Sequence, residues 1–298
     1  MKLLNESFAA LSTATSRVIE LYYPEEKRLF NDRLALDLLP FGWRISIRLL
    51  FLPGLRNVLL ASRERRVPGV LGSLVCRTCY IDDVLHTSLK EGLEQVVILG
   101  AGFDSRAYRI AGIDRVQVFE VDLPEVRKLK RSRVEKVLGS IPEHVTLVGI
   151  DFNAQKLGDV LEAAGFQTMR KTLFIWEGVT QYITAEAVND TLEFVSRASR
   201  AGSEIVFTYI RQGIIDGSDR SKTDQRIASF ASRAGSPWIF GIDPAELKRY
   251  LAARGLALVE DVGAAEYRER YLAPLGREMN IFEGERAALA RVTGPLAA

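Results

Sequence analysis

Hydrophobic positions along this chain follow two rhythms. Through residues 1 to about 92 the apolar residues recur at helical spacing, interrupted by helix-stop signals and almost free of strand-like alternation. An all-helical front piece is predicted there. From Gln95 the texture changes to short apolar runs at 96–99, 116–121, 145–150, 172–175 and 204–208, separated by helical or turn-rich segments. A strand covered on both faces has to be apolar throughout, so this spacing predicts a parallel sheet with crossover helices. Helices are predicted at 124–137, 157–164 and 185–198, and late strands at 257–262 and 287–292 bring the sheet to seven strands.

Three irregular stretches qualify this picture. Residues 212–238 are rich in Gly, Ser, Asp and Arg and read as an excursion or lid over the sheet. Asp243-Pro244 supplies an N-cap and a first-turn proline, so a helix is predicted from there. Between Trp43 and Ala61 the chain is dense in Leu and Ile, but Arg44, Arg48, Pro53, Gly54 and Arg56 break it well short of a membrane span. It reads as two amphipathic helices meeting at Pro53-Gly54, a cap over a substrate site in preference to a membrane-surface element. The expected architecture is therefore α/β and one domain over 1–298: a helical cap over 1–92 and a mainly parallel, seven-stranded core over 93–298.

Composition narrows the partners. The chain has 298 residues, and its 40 basic and 38 acidic side chains nearly cancel. No whole-protein field then favours nucleic acid or an anionic membrane, and a small-molecule substrate fits better. The oligomeric state is left open. Asn5, Glu6, Ser12, Thr13 and Arg17 interrupt any early apolar run, so no export signal is read and a cytoplasmic location is expected. Cys76 and Cys79 are the two cysteines, too few for a four-ligand zinc site; buried helix thiols are the expectation, and no metal is assigned.

The sharpest chemical feature is the strand-to-turn segment Val96-Val97-Ile98-Leu99-Gly100-Ala101-Gly102-Phe103-Asp104-Ser105. Small residues after a strand let a nucleotide cofactor approach the backbone closely. About twenty residues on, the next strand ends in Glu120 and Asp122, where a carboxylate can accept hydrogen bonds from ribose hydroxyls. Asp151 and Phe152 follow the third strand, placed to accept the adenine amino hydrogen and to cover the base. Glu177 closes the fourth. A crevice lined by Asp104, Asp122, Asp151 and Glu177 would repel a pyrophosphate and hold a sulfonium with its ammonium group, which favours S-adenosylmethionine over NAD.

Beyond chemistry of that kind, the motifs resemble a family. Gly-Ala-Gly-Phe-Asp-Ser-Arg-Ala-Tyr-Arg at 100–109, Val118-Phe119-Glu120-Val121-Asp122-Leu123-Pro124 with a lysine at Lys128 or Lys130, Trp176-Glu177-Gly178-Val179-Thr180-Gln181-Tyr182, and Arg77 to Asp82 upstream are similar to the leucine carboxyl methyltransferase family. The bacterial, small-molecule branch matches best. The resemblance implies a class I, Rossmann-like methyltransferase fold that binds S-adenosylmethionine and releases S-adenosylhomocysteine. It also implies cofactor contacts: Arg77 and Arg17 on the methionine carboxylate, Gly100 and Gly102 in the turn, Asp122 on the ribose, Asp151 and Phe152 on the adenine, and Glu177 at the amino-acid side.

The acceptor is read from chemistry. His86 and His144 are the two histidines, and neither falls at the predicted carboxyl edge of the sheet. A carboxylate is already ionised at neutral pH and needs no base, whereas a phenol does. Carboxyl methylation is therefore ranked first and phenol or alcohol methylation second, with Tyr182, Tyr209 and Arg211 as pocket candidates. An NAD-linked oxidoreductase and a non-catalytic cofactor-binding module are the readings from other classes.

Overall fold

The structure, a computed structural model, describes residues 13–48, 52–151 and 155–293. Its front piece is helical: α1 (13–19), α2 (Arg33–Leu38), α3 (Phe41–Arg48), α4 (Pro53–Arg66) and the long α5 (Val70–Lys90). α3 and α4 are the two helices expected on either side of Pro53-Gly54. Asp32 starts α2 by accepting the Ala35 N–H at 2.9 Å, the N-cap bond that an unsatisfied first turn requires. Within α5 both cysteines are free and buried.

Seven strands follow: β1 (Gln95–Leu99), β2 (Gln117–Asp122), β3 (Val145–Gly149), β4 (Thr172–Trp176), β5 (Glu204–Ile210), β6 (Leu256–Val262) and β7 (Glu285–Val292). They form one sheet in the order β3-β2-β1-β4-β5-β7-β6. The first five pair in parallel, while β7 runs antiparallel between β5 and β6. α6 (Arg106–Arg109) and α7 (Pro124–Leu138) connect β1 to β2 and β2 to β3, and α8 (Leu157–Ala163) and α9 (Ala185–Ala198) make the next two crossovers. Order along the sheet reverses between β1 and β4, so the crevice outside their carboxyl ends is where a ligand is expected in such a fold.

Side chains alternate across the sheet because the strand period is two. Val96, Ile98, Val118, Leu173, Ile175 and Val206 face a core shared with α1, α2 and α5. Val97, Leu99, Phe119, Val121, Phe174 and Phe207 face a second core with α8 and α9. Gln95 opens β1 despite its polarity, since its amide clamps the backbone of Gln167 through two bonds of 2.8 and 2.9 Å.

Residues 212–238 contain α10 (Gln212–Ile215) and α11 (Lys222–Arg233), the latter capped by Ser221. Ile214 and Ile227 there pack with Phe282, Val67 and Val70. The helix predicted from Asp243 is corrected: Asp243 accepts the Ala245 N–H at 3.0 Å and closes a turn, and α12 (Leu247–Ala252) begins after it. A short polar side chain that captures the amide two residues on favours a turn over a helical start.

The front piece is tied to the segment that leads into β7. Arg277 donates two hydrogen bonds to the Glu20 carboxylate at 2.7 and 2.9 Å, and the Phe282 N–H donates to the Gly69 carbonyl at 3.0 Å. Gly72 sits inside α5 because a Cβ there would lie 2.1 Å from the Asn280 oxygen.

Candidate cofactor site

After β1 the chain turns through Gly100, whose φ of +67° lies in the left-handed region. A Cβ at this position would stand 2.4 Å from Cγ2 of Val179, the residue two beyond Glu177 on the neighbouring strand end. Gly178 has φ +68°, and its missing Cβ would lie 3.0 Å from Nη2 of Arg77. Two adjacent strands thus end in bare, left-handed backbone. Asp122 fastens the turn by accepting the Gly102 N–H at 2.6 Å and the Leu123 N–H at 2.7 Å.

Two of the four carboxylates expected to line the crevice, Asp104 and Glu177, are paired with buried arginines. Arg106, about 1% exposed, donates to Asp82 at 2.7 Å, to Asp104 at 2.5 Å and to Glu177 at 2.7 Å. Arg77 donates to the other oxygen of Glu177 at 2.8 Å and to Glu285 at 2.5 Å. On the far side Arg109 reaches Asp82 at 2.7 Å and approaches Asp32 at 3.6 Å. Asp32 accepts from Arg17 at 2.9 Å and from the Ser105 hydroxyl at 2.6 Å. The result is one continuous chain of ion pairs: Arg17, Asp32, Arg109, Asp82, Arg106 with Asp104 and Glu177, Arg77, Glu285.

Ionisation follows from the partners. Burial alone would raise the Glu177 carboxyl, but Arg106 and Arg77 outweigh it and bring it down to about 2. Asp104 is held lower still, against its burial, chiefly by Arg106. Asp32 is also depressed, Arg17 and Arg109 overcoming desolvation. Burial would lower the Arg77 and Arg106 guanidiniums, and their carboxylates reverse that. Deep charges persist only when paired and hydrogen-bonded in this way.

Beneath Asp122 a second buried set fixes the end of β2. Lys130 lies 2.7 Å from Glu120, whose other oxygen accepts the Tyr108 hydroxyl at 2.8 Å. Of the two lysines considered, Lys130 is the buried one. Glu120 therefore points away from the turn, and Asp122 is the carboxylate that meets it.

Other expected site residues are scattered. Asp151 follows β3 and is exposed, its N–H donating to the Gln155 side chain at 3.0 Å. Phe152 lies outside the described residues. Arg17 is buried and donates also to the Phe103 carbonyl. Tyr209 is fully buried and its hydroxyl donates to Asp261 at 3.0 Å, on the side of the sheet's antiparallel edge. Arg211 pairs with Asp219. Tyr182 retains 36% exposure and follows Gln181, itself buried. Beside it, Thr208 accepts the Gly178 N–H at 2.7 Å, so β5 helps hold the β4 turn.

Sequence reasoning met Arg106 and Asp82 only as motif residues and gave neither them nor Asp32 or Glu285 a role in the site. A signal was available in α5, where Arg77 and Asp82 stand among buried apolar residues and an unpaired charge could not remain. Among the described residues no group of three His, Cys, Asp or Glu side chains is placed to hold a metal ion, and no helix is long and apolar enough to cross a membrane.

Comparison with known proteins bears on this geometry. A profile of the leucine carboxyl methyltransferase family matches residues 10–196. A Frankia alni protein, named for S-adenosyl-L-methionine-dependent methyl transfer, is 34% identical over 227 residues, 75% of each chain. A Bacillus subtilis protein named for the same activity is 29% identical over 210 residues, 70% of this chain and 69% of its own. Among solved structures, a methyltransferase from Thermobifida fusca superposes with a TM-score of 0.57 at 16% identity, covering 80% of this chain and 89% of that one. A DUF574 family protein from Streptomyces avermitilis gives 0.55 at 18% identity, covering 79% and 88%. These two likenesses bear on the fold alone.

Proposed function

This chain belongs to the leucine carboxyl methyltransferase family and is an S-adenosylmethionine-dependent methyltransferase, and from that premise we propose that it methylates a carboxylate oxygen of a small metabolite. The bare backbone at Gly100 and Gly178 suits a nucleoside cofactor that must pass close to the sheet edge. In this reading Asp122 holds the ribose, Asp151 and Phe152 the adenine, and Arg77 the methionine carboxylate with its Nη2 edge toward Gly178. Glu177 stands at the amino-acid end. Arg17, committed to Asp32 and Phe103, acts on the carboxylate as a nearby charge and holds the Gly102 turn in place.

One observation carries the choice of acceptor. Two acids beside the crevice, Asp104 and Glu177, are bound by Arg106 and held ionised, Glu177 with a pKa of about 2, while Asp122 is taken up by the ribose in this reading. A base that weak falls short of a phenol by roughly eight units, so it cannot deprotonate one effectively. The described histidines lie elsewhere: His144 precedes β3 at the opposite end of the strands, its Nε2 2.9 Å from the Ala107 carbonyl, and His86 lies in the second half of α5. An acceptor that arrives ionised meets no such need. Its oxygen lone pair forms the bond to the methyl carbon while the C–S pair returns to sulfur. A methyl ester and S-adenosylhomocysteine result, and no proton moves.

Of the three pocket candidates, Tyr182 suits the acceptor best because it keeps 36% exposure, whereas Tyr209 is fully buried against Asp261 and Arg211 is paired with Asp219. The test is transfer of labelled methyl to a metabolite extract, followed by mild base. A base-labile product with turnover flat from pH 6 to 9 supports the reading. A base-stable methyl ether whose formation climbs through neutral pH overturns it.

A further inference from the structure

We infer that the ion network beside the glycine turn carries an excess of negative charge that selects the cationic methyl donor over its neutral product. The inference rests on the proposed placement of the cofactor along Gly100 and Gly178. Its basis is the composition of the chain of ion pairs. Four guanidiniums, from Arg17, Arg77, Arg106 and Arg109, alternate with five carboxylates, from Asp32, Asp82, Asp104, Glu177 and Glu285. Every side chain in it is at most 12% exposed, so water screens the imbalance poorly. The adjoining Glu120–Lys130 pair cancels itself.

The donor supplies what is missing. S-adenosylmethionine carries a sulfonium, an ammonium and a carboxylate, for one net positive charge. S-adenosylhomocysteine has lost the sulfonium charge and is neutral overall. Both present the same nucleoside and the same amino-acid group, so contacts made to those parts cannot tell them apart. A fixed field can. One unit of charge at about 10 Å, with an effective dielectric constant of about 20 to 40, is worth roughly a four- to fifteenfold difference in affinity. After methyl transfer the crevice is again short of a cation, which speeds departure of the product.

The test is titration calorimetry with three ligands: S-adenosylmethionine, its analogue bearing an amine in place of the methylsulfonium, and S-adenosylhomocysteine. Two variants each remove one charge while leaving an oxygen for the arginine, Glu285→Gln on β7 and Asp82→Asn on α5. Each should weaken the two cationic ligands about five- to tenfold and S-adenosylhomocysteine less than twofold. The same selective loss from two separate elements is the mark of a field, because a lost structural support would weaken all three ligands alike. Equal weakening of all three overturns the inference. If neither variant folds, the wild-type protein decides: equal affinity for the amine analogue and for S-adenosylhomocysteine also overturns it. The underlying placement is tested apart, since Asp122→Ala leaving all three affinities unchanged would remove the cofactor from this crevice.

Discussion

Arg106→Lys keeps a positive charge at the centre of the network and so isolates what the guanidinium does. In the native protein the planar group serves three carboxylates on three elements, Asp82 of α5, Asp104 of the turn and Glu177 after β4. An ammonium is a compact point charge on a flexible stem and cannot span all three. Loss of one to two charge-assisted hydrogen bonds, at about 1.5 to 3 kcal/mol each, and partial relaxation of the neighbours give a destabilisation of about 3 kcal/mol. For a chain of 298 residues the unfolding entropy is roughly 0.6 kcal/mol per degree, so the melting temperature should fall by about 5 °C. Differential scanning calorimetry at pH 7 measures this directly. A fall of less than about 1 °C would mean that the three carboxylates find other partners, and the view of Arg106 as the strut between turn, helix and strand would be wrong.

Acid titration supplies a second expectation. Glu177 goes from 4.5 to about 2 on folding, and Asp104 and Asp32 are depressed too, so their stabilisation is complete above about pH 4.5 and is lost as pH falls through the folded values. Glu177 alone accounts for up to about 3 kcal/mol, so melting temperatures should hold from pH 8 to 5 and drop steeply between 4.5 and 2; a flat profile there would contradict the ionised network. Gly100→Ala should weaken S-adenosylhomocysteine binding at least about tenfold, since it adds left-handed strain and a 2.4 Å clash with Val179; unchanged calorimetric affinity would deny the close approach. Burial pushes the Cys76 thiol up to about 12 and raises Cys79 as well, so neither should react with a thiol reagent at pH 8 until denaturant is added; rapid native labelling would refute their burial.

What was legible from sequence follows the strength of the local physics. The five parallel strands announce themselves because burial on both faces demands unbroken apolar runs, and the turn at Gly100 because only glycine enters that backbone region freely. The helix start at Asp243 was misread since an N-cap and an Asx turn use the same residue and the same side-chain acceptor, and only the following dihedrals separate them. The acids of the crevice were seen one by one, but the arginines that pair with Glu177 come from α5 and α6, and a pairing across 71 to 100 residues leaves no periodic trace. Tyr209 looked available because its position in β5 names no face; the partner that occupies its hydroxyl, Asp261, lies 52 residues further on.

The bond between Arg277 and Glu20 joins residues 257 apart, and Glu285 completes Arg77 across 208. Glu20 and Arg77 are both translated long before these partners. From the emergence of α5 to that of β7 the ribosome needs on the order of 10 to 40 s at ordinary elongation rates. For most of that interval Glu20 has no native counter-charge and Arg77 has at best one of its two, Glu177, so the helices that carry them cannot yet desolvate these groups without a penalty of several kcal/mol. The helices that carry Glu20 and Arg77 must therefore wait, loosely packed, for residues 277–285, and a chain stopped before residue 277 should remain a substrate for chaperones and proteases however complete its parallel strands are.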